Sequence, residues 1–139
     1  MGEMLASVTG TPLLDKLPSR VQQAVVAFQQ ALLAAFPGQI RRIILYGSYA
    51  RGNARPDSDV DVIVVVAWEE ERMPDGGYRS WYNDPRWESI VGIALDLSLE
   101  YGVWISPYVV GENRYRAHRR WSFFKQVSQE GNVLWPSSS

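Results

Sequence analysis

Residues 45–64 have the sequence LYGSYARGNARPDSDVDVIV, and this stretch decides the fold. It begins with a Gly-Ser pair, continues through a polar segment rich in glycine, proline and arginine, and then reaches Asp-Val-Asp at 59–61. Apolar, β-branched runs at 40–46 and 60–67 lie on either side of the polar segment. The pattern predicts a strand, a loop and a second strand, with the polar residues held between the two strands.

The two aspartates of this stretch, Asp59 and Asp61, are candidate catalytic and metal-binding residues. They are two positions apart on a predicted strand, so their side chains leave the same face. Neighbouring carboxylates repel each other unless a cation lies between them. Oxygen ligands of this kind suit Mg²⁺, which completes its coordination with water and substrate phosphates. The spacing therefore predicts a magnesium site at Asp59 and Asp61.

The Gly-Ser pair that precedes the aspartates is a candidate phosphate-binding turn. Glycine at position 47 lets the main chain approach a phosphate closely, and backbone N–H groups and the Ser48 hydroxyl can bind it. Arg51 can add a charge-assisted contact to the same phosphate. We therefore predict Gly47, Ser48 and Arg51 as nucleotide-binding residues. The parts needed for metal-assisted nucleotidyl transfer lie close together in the chain.

The order Gly-Ser-x-x-Arg-Gly followed by Asp-x-Asp resembles the signature of the DNA-polymerase-beta-like nucleotidyltransferases. The short motif and the small size are most similar to the minimal nucleotidyltransferases of bacteria and archaea. The resemblance implies an α/β (α+β) fold with a small mixed, largely antiparallel sheet flanked by helices. It also implies that Asp59 and Asp61 bind Mg²⁺, and that a hydroxyl on a protein or RNA attacks the α-phosphate of an NTP, with ATP as the expected nucleotide. Minimal members often pair with a HEPN-domain ribonuclease as toxin and antitoxin, so a HEPN-domain toxin is the expected partner.

One departure from the family pattern leaves a second function open. Active members carry a third carboxylate on the next core strand, but the strand predicted here at 103–110 contains no acid. Alternation places Trp104 and Ser106 on one face, so either can occupy the position of the missing acid. Asp96 and Glu100 precede the strand on a helix and are weaker candidates. The alternative is a catalytically weak or inactive module that binds a nucleotide or, like an antitoxin, a partner protein.

The rest of the chain completes a single domain, 1–139, with a core at about 19–135 and frayed ends at 1–12 and 136–139. Hydrophobic periodicity predicts helices over 19–36 and 85–102, a last helix from about 123, and a closing strand at 132–135. Ser19 and Gln22 indicate a capping box at the first helix. Trp87 and Trp104 are expected in the core. The long connection at 68–85 is typical of a mobile functional loop or an insertion, and its Glu69–Glu71 run is expected to be solvated.

Composition excludes several function classes. A chain of 139 residues with 46% hydrophobic and 21% charged residues is typical of one globular domain. The absence of cysteine excludes a disulfide scaffold and a thiolate metal site. A net charge of −1 gives no overall field that attracts nucleic acid. Neither a membrane span nor the basic start of a signal peptide is present in the sequence, so we expect no membrane contact and a cytoplasmic location.

A basic and aromatic cluster at Arg114–Arg120 is the remaining candidate site. Such clusters can bind RNA phosphates and stack on bases. They can equally dock an acidic partner, or close the core with their aromatic rings while the arginines stay solvated. His118 is the only histidine, which excludes a metal site built from histidines.

Overall fold

The computed structural model describes residues 12–79, 81, 83–118, 125, 127 and 132–136. In this part of the chain a 3-10 turn at Pro12–Lys16 precedes the main elements. The helices are α1 (Ser19–Ala35), α2 (Ser48–Arg51), α3 (Pro85–Tyr101) and α4 (Glu112–His118). The strands are β1 (Ile40–Tyr46), β2 (Val60–Val66), β3 (Ile105–Gly111) and β4 (Asn132–Trp135).

The four strands form one sheet in the order β3-β2-β1-β4. β1 runs antiparallel to both β2 and β4, whereas β3 runs parallel to β2. The sheet is therefore mixed and largely antiparallel, and helices flank it. The predicted fold class is confirmed.

The main core lies between one face of the sheet and the helices α1 and α3. Its buried members include Val25, Phe28, Ile43, Leu45, Val62, Val64, Ile90 and Ala94. A smaller cluster covers the opposite face and consists of Ile44, Ile63, Val65, Val110 and Val127. Because β2 is buried on both faces, its sequence is apolar at every position except Asp61.

The element boundaries follow local signals, with two corrections. The predicted capping box is wrong: Pro18 is the N-cap of α1, Ser19 is already helical, and no side chain caps the helix. Asp84 does cap α3, where its side chain accepts a hydrogen bond from the Arg86 N–H, and Gly102 ends that helix in the left-handed conformation. β3 begins at Ile105, two residues later than predicted, since Gly102 and Val103 still belong to the turn after α3.

The long connection between β2 and α3 packs along the outer edge of β3. The indole N–H of Trp81 donates to the carbonyl of Val109 (2.9 Å), and the N–H of Gly111 donates to the carboxylate of Glu70 (2.9 Å). The N–H of Ile105 donates to the hydroxyl of Ser98 (2.9 Å) on α3, and Pro107 has no N–H to donate. Several of the backbone groups that an edge strand leaves open are thus bonded or removed along β3.

Glu70 corrects the expectation that residues 69–71 form a solvated run. Glu69 and Glu71 are exposed, but the Glu70 side chain is only 2% exposed. Its carboxylate forms an ion pair with Arg114 in addition to accepting the N–H of Gly111. These two donors compensate a carboxylate that burial would otherwise destabilise.

Some sequence-based predictions lie outside the described residues. The frayed ends fall there almost entirely, as does most of the helix expected from residue 123. The helix α4 was not predicted, because its segment carries a charge cluster without a periodic apolar stripe. Among the described helices, none combines the length and the apolar character needed to cross a bilayer.

Candidate active site

Gly47 and Asp61 lie in direct contact at the end of β1. Gly47 has φ +79° and ψ −157°, a conformation that residues with side chains rarely adopt. A β-carbon built on Gly47 would lie 3.2 Å from Cγ of Asp61 and closer still to its Oδ2. Position 47 therefore requires glycine both for its backbone angles and for the approach of this carboxylate.

The Gly-Ser turn folds into the single helical turn α2. The N–H of Arg51 donates to the carbonyl of Gly47 (3.0 Å), and the N–H of Asn53 donates to the carbonyl of Ser48 (3.0 Å). Ser48 is half-buried and Arg51 is exposed. The predicted helical turn near residues 49–51 is confirmed, and it brings Ser48 and Arg51 next to the carboxylate that touches Gly47.

Asp61 lies in a row of polar side chains across three strands. Its register partners are Tyr46 on β1 and Ser106 on β3. Directly paired residues on neighbouring strands share a face of the sheet, so these three side chains leave the same face. Tyr108 leaves that face two residues beyond Ser106. Alternation along β1 places Tyr46 on the same face of the sheet as Ile44. Only the strand register shows that Tyr46 lies beside Asp61.

The electrostatics of this row reflect burial and repulsion between like charges. Burial raises the pKa of Asp61, the nearby Asp59 carboxylate raises it further, and Arg51 partly offsets both effects. Burial also raises the pKa of Tyr46 to about 12, and Asp61 and Tyr108 contribute to that rise. The phenol of Tyr46 is therefore neutral at physiological pH and can act only as a hydrogen-bonding group.

Asp59 lies immediately before β2 and is exposed. The sequence placed it on the strand itself, but the first strand residue is Val60, whose N–H donates to the carbonyl of Trp104 (2.7 Å). Asp59 is still close enough for its charge to raise the pKa of Asp61. A cation between them would relieve that repulsion.

The donor set is compatible with Mg²⁺ held by two carboxylates. Both groups offer oxygen ligands, and both are at least partly open to solvent. Among the residues that the structure describes, no group of three or more acidic or histidine side chains is placed to hold a metal ion. Asp59 and Asp61 would therefore leave the remaining coordination positions to substrate oxygens and water.

The strand register distinguishes the two residues considered for the place of a third carboxylate. Ser106, and not Trp104, is the register partner of Asp61. Trp104 is 53% exposed, so the expectation that it belongs to the core is wrong, whereas Trp87 packs against the core as expected. Asp96 and Glu100 are exposed on α3, which covers the opposite face of the sheet, so neither reaches Asp61.

The basic cluster is partly used for internal contacts. Arg114 forms its ion pair with Glu70, and its guanidinium lies over the ring of Tyr78, 4.8 Å from the ring centre. Arg116 forms an ion pair with Glu112 (3.0 Å) one helical turn away. Arg119 and Arg120 lie outside the described residues. The interpretation that all the arginines are solvated is therefore wrong for Arg114.

Comparison with known proteins decides the family. The model of the nucleotidyltransferase domain matches residues 27–120. The chain belongs to the nucleotidyltransferase domain family. The match confirms the resemblance inferred from the Gly-Ser and Asp-x-Asp motifs, and it runs from the middle of α1 to beyond the end of α4.

Two relatives of this nucleotidyltransferase come from Methanocaldococcus jannaschii, and both are named as candidate protein adenylyltransferases. One is 32% identical over 114 residues, covering 82% of this chain and 97% of the relative. The other is 29% identical over 109 residues, covering 78% of this chain and 93% of the relative. A solved toxin–antitoxin structure with AMP-PNP matches with a TM-score of 0.50 at 23% identity, covering 80% of this chain and 73% of that chain. This structural match supports the fold.

Proposed function

We propose that this chain binds ATP with Mg²⁺ and transfers an adenylyl group to a hydroxyl on a partner protein. The observation that carries the proposal is the contact between the Asp61 carboxylate and the main chain of Gly47. This contact brings a turn that can bind phosphate next to a pair of carboxylates that can bind a divalent cation. The members of the family to which the chain belongs transfer nucleotidyl groups, which agrees with this chemistry.

Each residue of the site has a distinct role in the proposed reaction. Asp59 and Asp61 would hold Mg²⁺, which supplies charge neutralisation for the phosphates of the nucleotide. Gly47 allows the close approach of a phosphate, and the Ser48 hydroxyl and the Arg51 guanidinium provide donors for it. The acceptor hydroxyl forms a bond to the α-phosphorus, the bond from that phosphorus to the pyrophosphate oxygen breaks, and the hydroxyl proton is released.

The acceptor is best assigned to a protein, and the family resemblance makes a toxin of the HEPN type the expected one. The curated relatives carry the name of protein adenylyltransferase, and the structural neighbour belongs to a toxin–antitoxin pair. RNA is the weaker acceptor, because Arg114 is used in a buried ion pair with Glu70.

A second candidate function is partner binding without catalysis. The observation that favours it is Ser106, which occupies the position beside Asp61 where a third carboxylate would complete the set. A site with two carboxylates can hold a nucleotide-bound cation yet lack a base for the acceptor hydroxyl. In that case the chain would neutralise its partner through contact alone.

The experiment that separates these functions follows label from ATP. The full chain is incubated with Mg²⁺, with ATP labelled at the α-phosphate and with the protein encoded next to it in the genome. We expect label on the partner, and its loss in the double variant Asp59→Asn with Asp61→Asn. The matched control is Asp96→Asn with Glu100→Gln, which changes the same number of charges on the opposite side of the sheet and should transfer normally.

The possible outcomes are distinct. Label that persists in the Asp59 and Asp61 double variant would contradict the assignment of the site. Partner binding without any label transfer, equal in the wild type and in the double variant, would favour the second function.

A further inference from the structure

Trp104 exposes a large apolar ring at the entrance to the candidate active site. Its relative exposure is 53%, whereas its neighbour Val103 packs against the main core. An indole left in water forgoes the stabilisation that burial of its apolar surface would give. A single exposed tryptophan needs no special explanation on a remote surface, but this one lies beside the two candidate metal ligands.

The backbone fixes which way this residue faces. The Val60 N–H donates to the Trp104 carbonyl (2.7 Å), so Trp104 lies alongside the short Asp59–Val60 segment. Ser106 is opposite Asp61, and side chains alternate along a strand. Trp104 directly precedes β3, and continuing the alternation of that strand back by one residue places its side chain on the same face as Ser106 and Asp61. Val103 packs against the core on the helix-covered face. The indole lies at the outer end of a row of side chains on this face, and Ser106 and Tyr108 follow it along β3.

The ring of Trp104 makes no specific contact with the described residues. Trp68 and Trp81 pack edge-to-face with ring centres 6.2 Å apart, and the Trp81 N–H is bonded to Val109. Arg86 lies over the ring of Trp68. In the part of the chain that the structure describes, no aromatic contact, side-chain hydrogen bond or cation–π contact involves the indole ring of Trp104. More than half of the Trp104 surface is thus open to solvent and can meet a ligand.

We propose that Trp104 forms a base-stacking subsite for the nucleotide. The inference rests on the proposed function, in which the phosphates lie at Gly47, Ser48, Asp59 and Asp61. The base of that nucleotide is joined to the phosphates through one ribose, so it can reach residues beside the phosphate-binding turn and the two carboxylates. Trp104 is the exposed aromatic residue beside these carboxylates. Stacking on an indole requires only a flat ring, and a purine offers the larger surface.

The test compares a ligand that has a base with one that has none. Binding of ATP and of inorganic tripolyphosphate, each with Mg²⁺, is measured by calorimetry for the wild type and for Trp104→Ala. Loss of one stacking contact should weaken ATP binding by about 5- to 150-fold. Tripolyphosphate binding should change less than about twofold, because its contacts are to the phosphate-binding turn and the carboxylates. Trp104→Phe should recover most of the ATP affinity.

A matched control and two contrary outcomes make the test decisive. Leu99→Ala removes another exposed apolar side chain, 72% exposed on α3, and should leave both affinities unchanged. Equal weakening of ATP and tripolyphosphate by Trp104→Ala, or unchanged ATP binding, would overturn the stacking role while the proposed function stands. A wild-type chain that binds neither ligand would instead overturn the proposed function and the stacking subsite together.

Discussion

The carboxylate of Asp61 occupies the space where a side chain on Gly47 would begin. A β-carbon at Gly47 would lie 3.2 Å from Cγ of Asp61 and 3.3 Å from its Cβ, and the backbone there has a positive φ. The first residue of the phosphate-binding turn and the candidate metal ligand are therefore packed against each other. A side chain at position 47 would displace the Asp61 carboxylate.

Replacing Gly47 tests this constraint. We expect Gly47→Ala to destabilise the fold by about 1–3 kcal/mol through backbone strain, with a further cost from the displaced carboxylate. ATP binding should weaken at least about tenfold, because the turn and Asp61 move together. Urea unfolding and calorimetry measure the two effects.

The variant Gly38→Ala serves as a control that separates the effect of backbone strain from the effect of the steric clash with Asp61. Gly38 also has a positive φ (+74°), but a β-carbon there would meet nothing within 4 Å. Gly38→Ala should cost stability from strain alone and leave ATP affinity unchanged. Equal losses of ATP affinity in the two variants would show that the contact between Gly47 and Asp61 is irrelevant to binding.

The pH dependence of stability follows from the raised pKa of Asp61. Burial and Asp59 raise this pKa above its value in the unfolded chain. The stability contributed by the protonated form is therefore complete at pH below the unfolded pKa and is lost as pH rises through the folded pKa. Urea unfolding of the metal-free protein across this range should show the loss.

Two changes should reduce that loss. Asp61→Asn removes the titrating group, and Asp59→Asn removes one cause of the shift, so both variants should lose less stability as the pH rises. Addition of Mg²⁺ should stabilise the wild type at neutral pH and have little effect on Asp61→Asn. A pH profile identical in the wild type and in both variants would contradict the electrostatic account of the site.

Introducing a carboxylate at position 106 should strengthen the metal site. Because Ser106 is the register partner of Asp61, Ser106→Asp places a third acid in the row. Affinity for Mg²⁺ should rise on the order of tenfold with the added ligand charge, and any adenylyl transfer should rise with it. Ser89→Asp, an exposed change on α3, is the control for net charge. An equal gain in both variants would mean that the effect is one of overall charge.

The buried ion pair of Glu70 should matter far more than its exposed neighbour. Glu70→Ala leaves Arg114 and the N–H of Gly111 without their acceptor, and should cost about 3 kcal/mol of unfolding free energy. Glu71 pairs with Arg79 at the surface, where both side chains are about 60% exposed, and Glu71→Ala should cost about 0–1 kcal/mol. Chemical denaturation of the two variants measures the difference, and similar costs would argue against a structural role for Glu70.

The sequence was sufficient where local pattern decides structure. The strand at Ile40–Tyr46, the turn at Ser48–Arg51 and the closing strand at Asn132–Trp135 were all predicted, because turn residues and β-branched runs specify them locally. The proximity of the Gly-Ser turn and the aspartates followed from two adjacent strands. These features also carried the family resemblance that the comparisons confirmed.

The remaining features depend on contacts between distant segments. Ser106 and Trp104 were equivalent by alternation, and only the pairing of β2 with β3 distinguished them. The three glutamates at 69–71 have the same charge, but only the packing of their segment along β3 buries Glu70. A Ser-x-x-Gln pattern suggested a capping box at Ser19, yet the chain enters α1 one residue earlier, at Pro18. Periodicity and composition do not encode register or packing of this kind.

The protected edge of β3 limits how a partner protein can approach. A strand from another chain needs open N–H and carbonyl groups to extend a sheet, and along β3 the side chains of Trp81, Ser98 and Glu70, together with Pro107, take several of those groups out of use. We therefore expect recognition at this side of the molecule to rely on side-chain surfaces more than on backbone pairing. The same protection makes β3 a poor template for aggregation, although it forms the rim of the candidate active site.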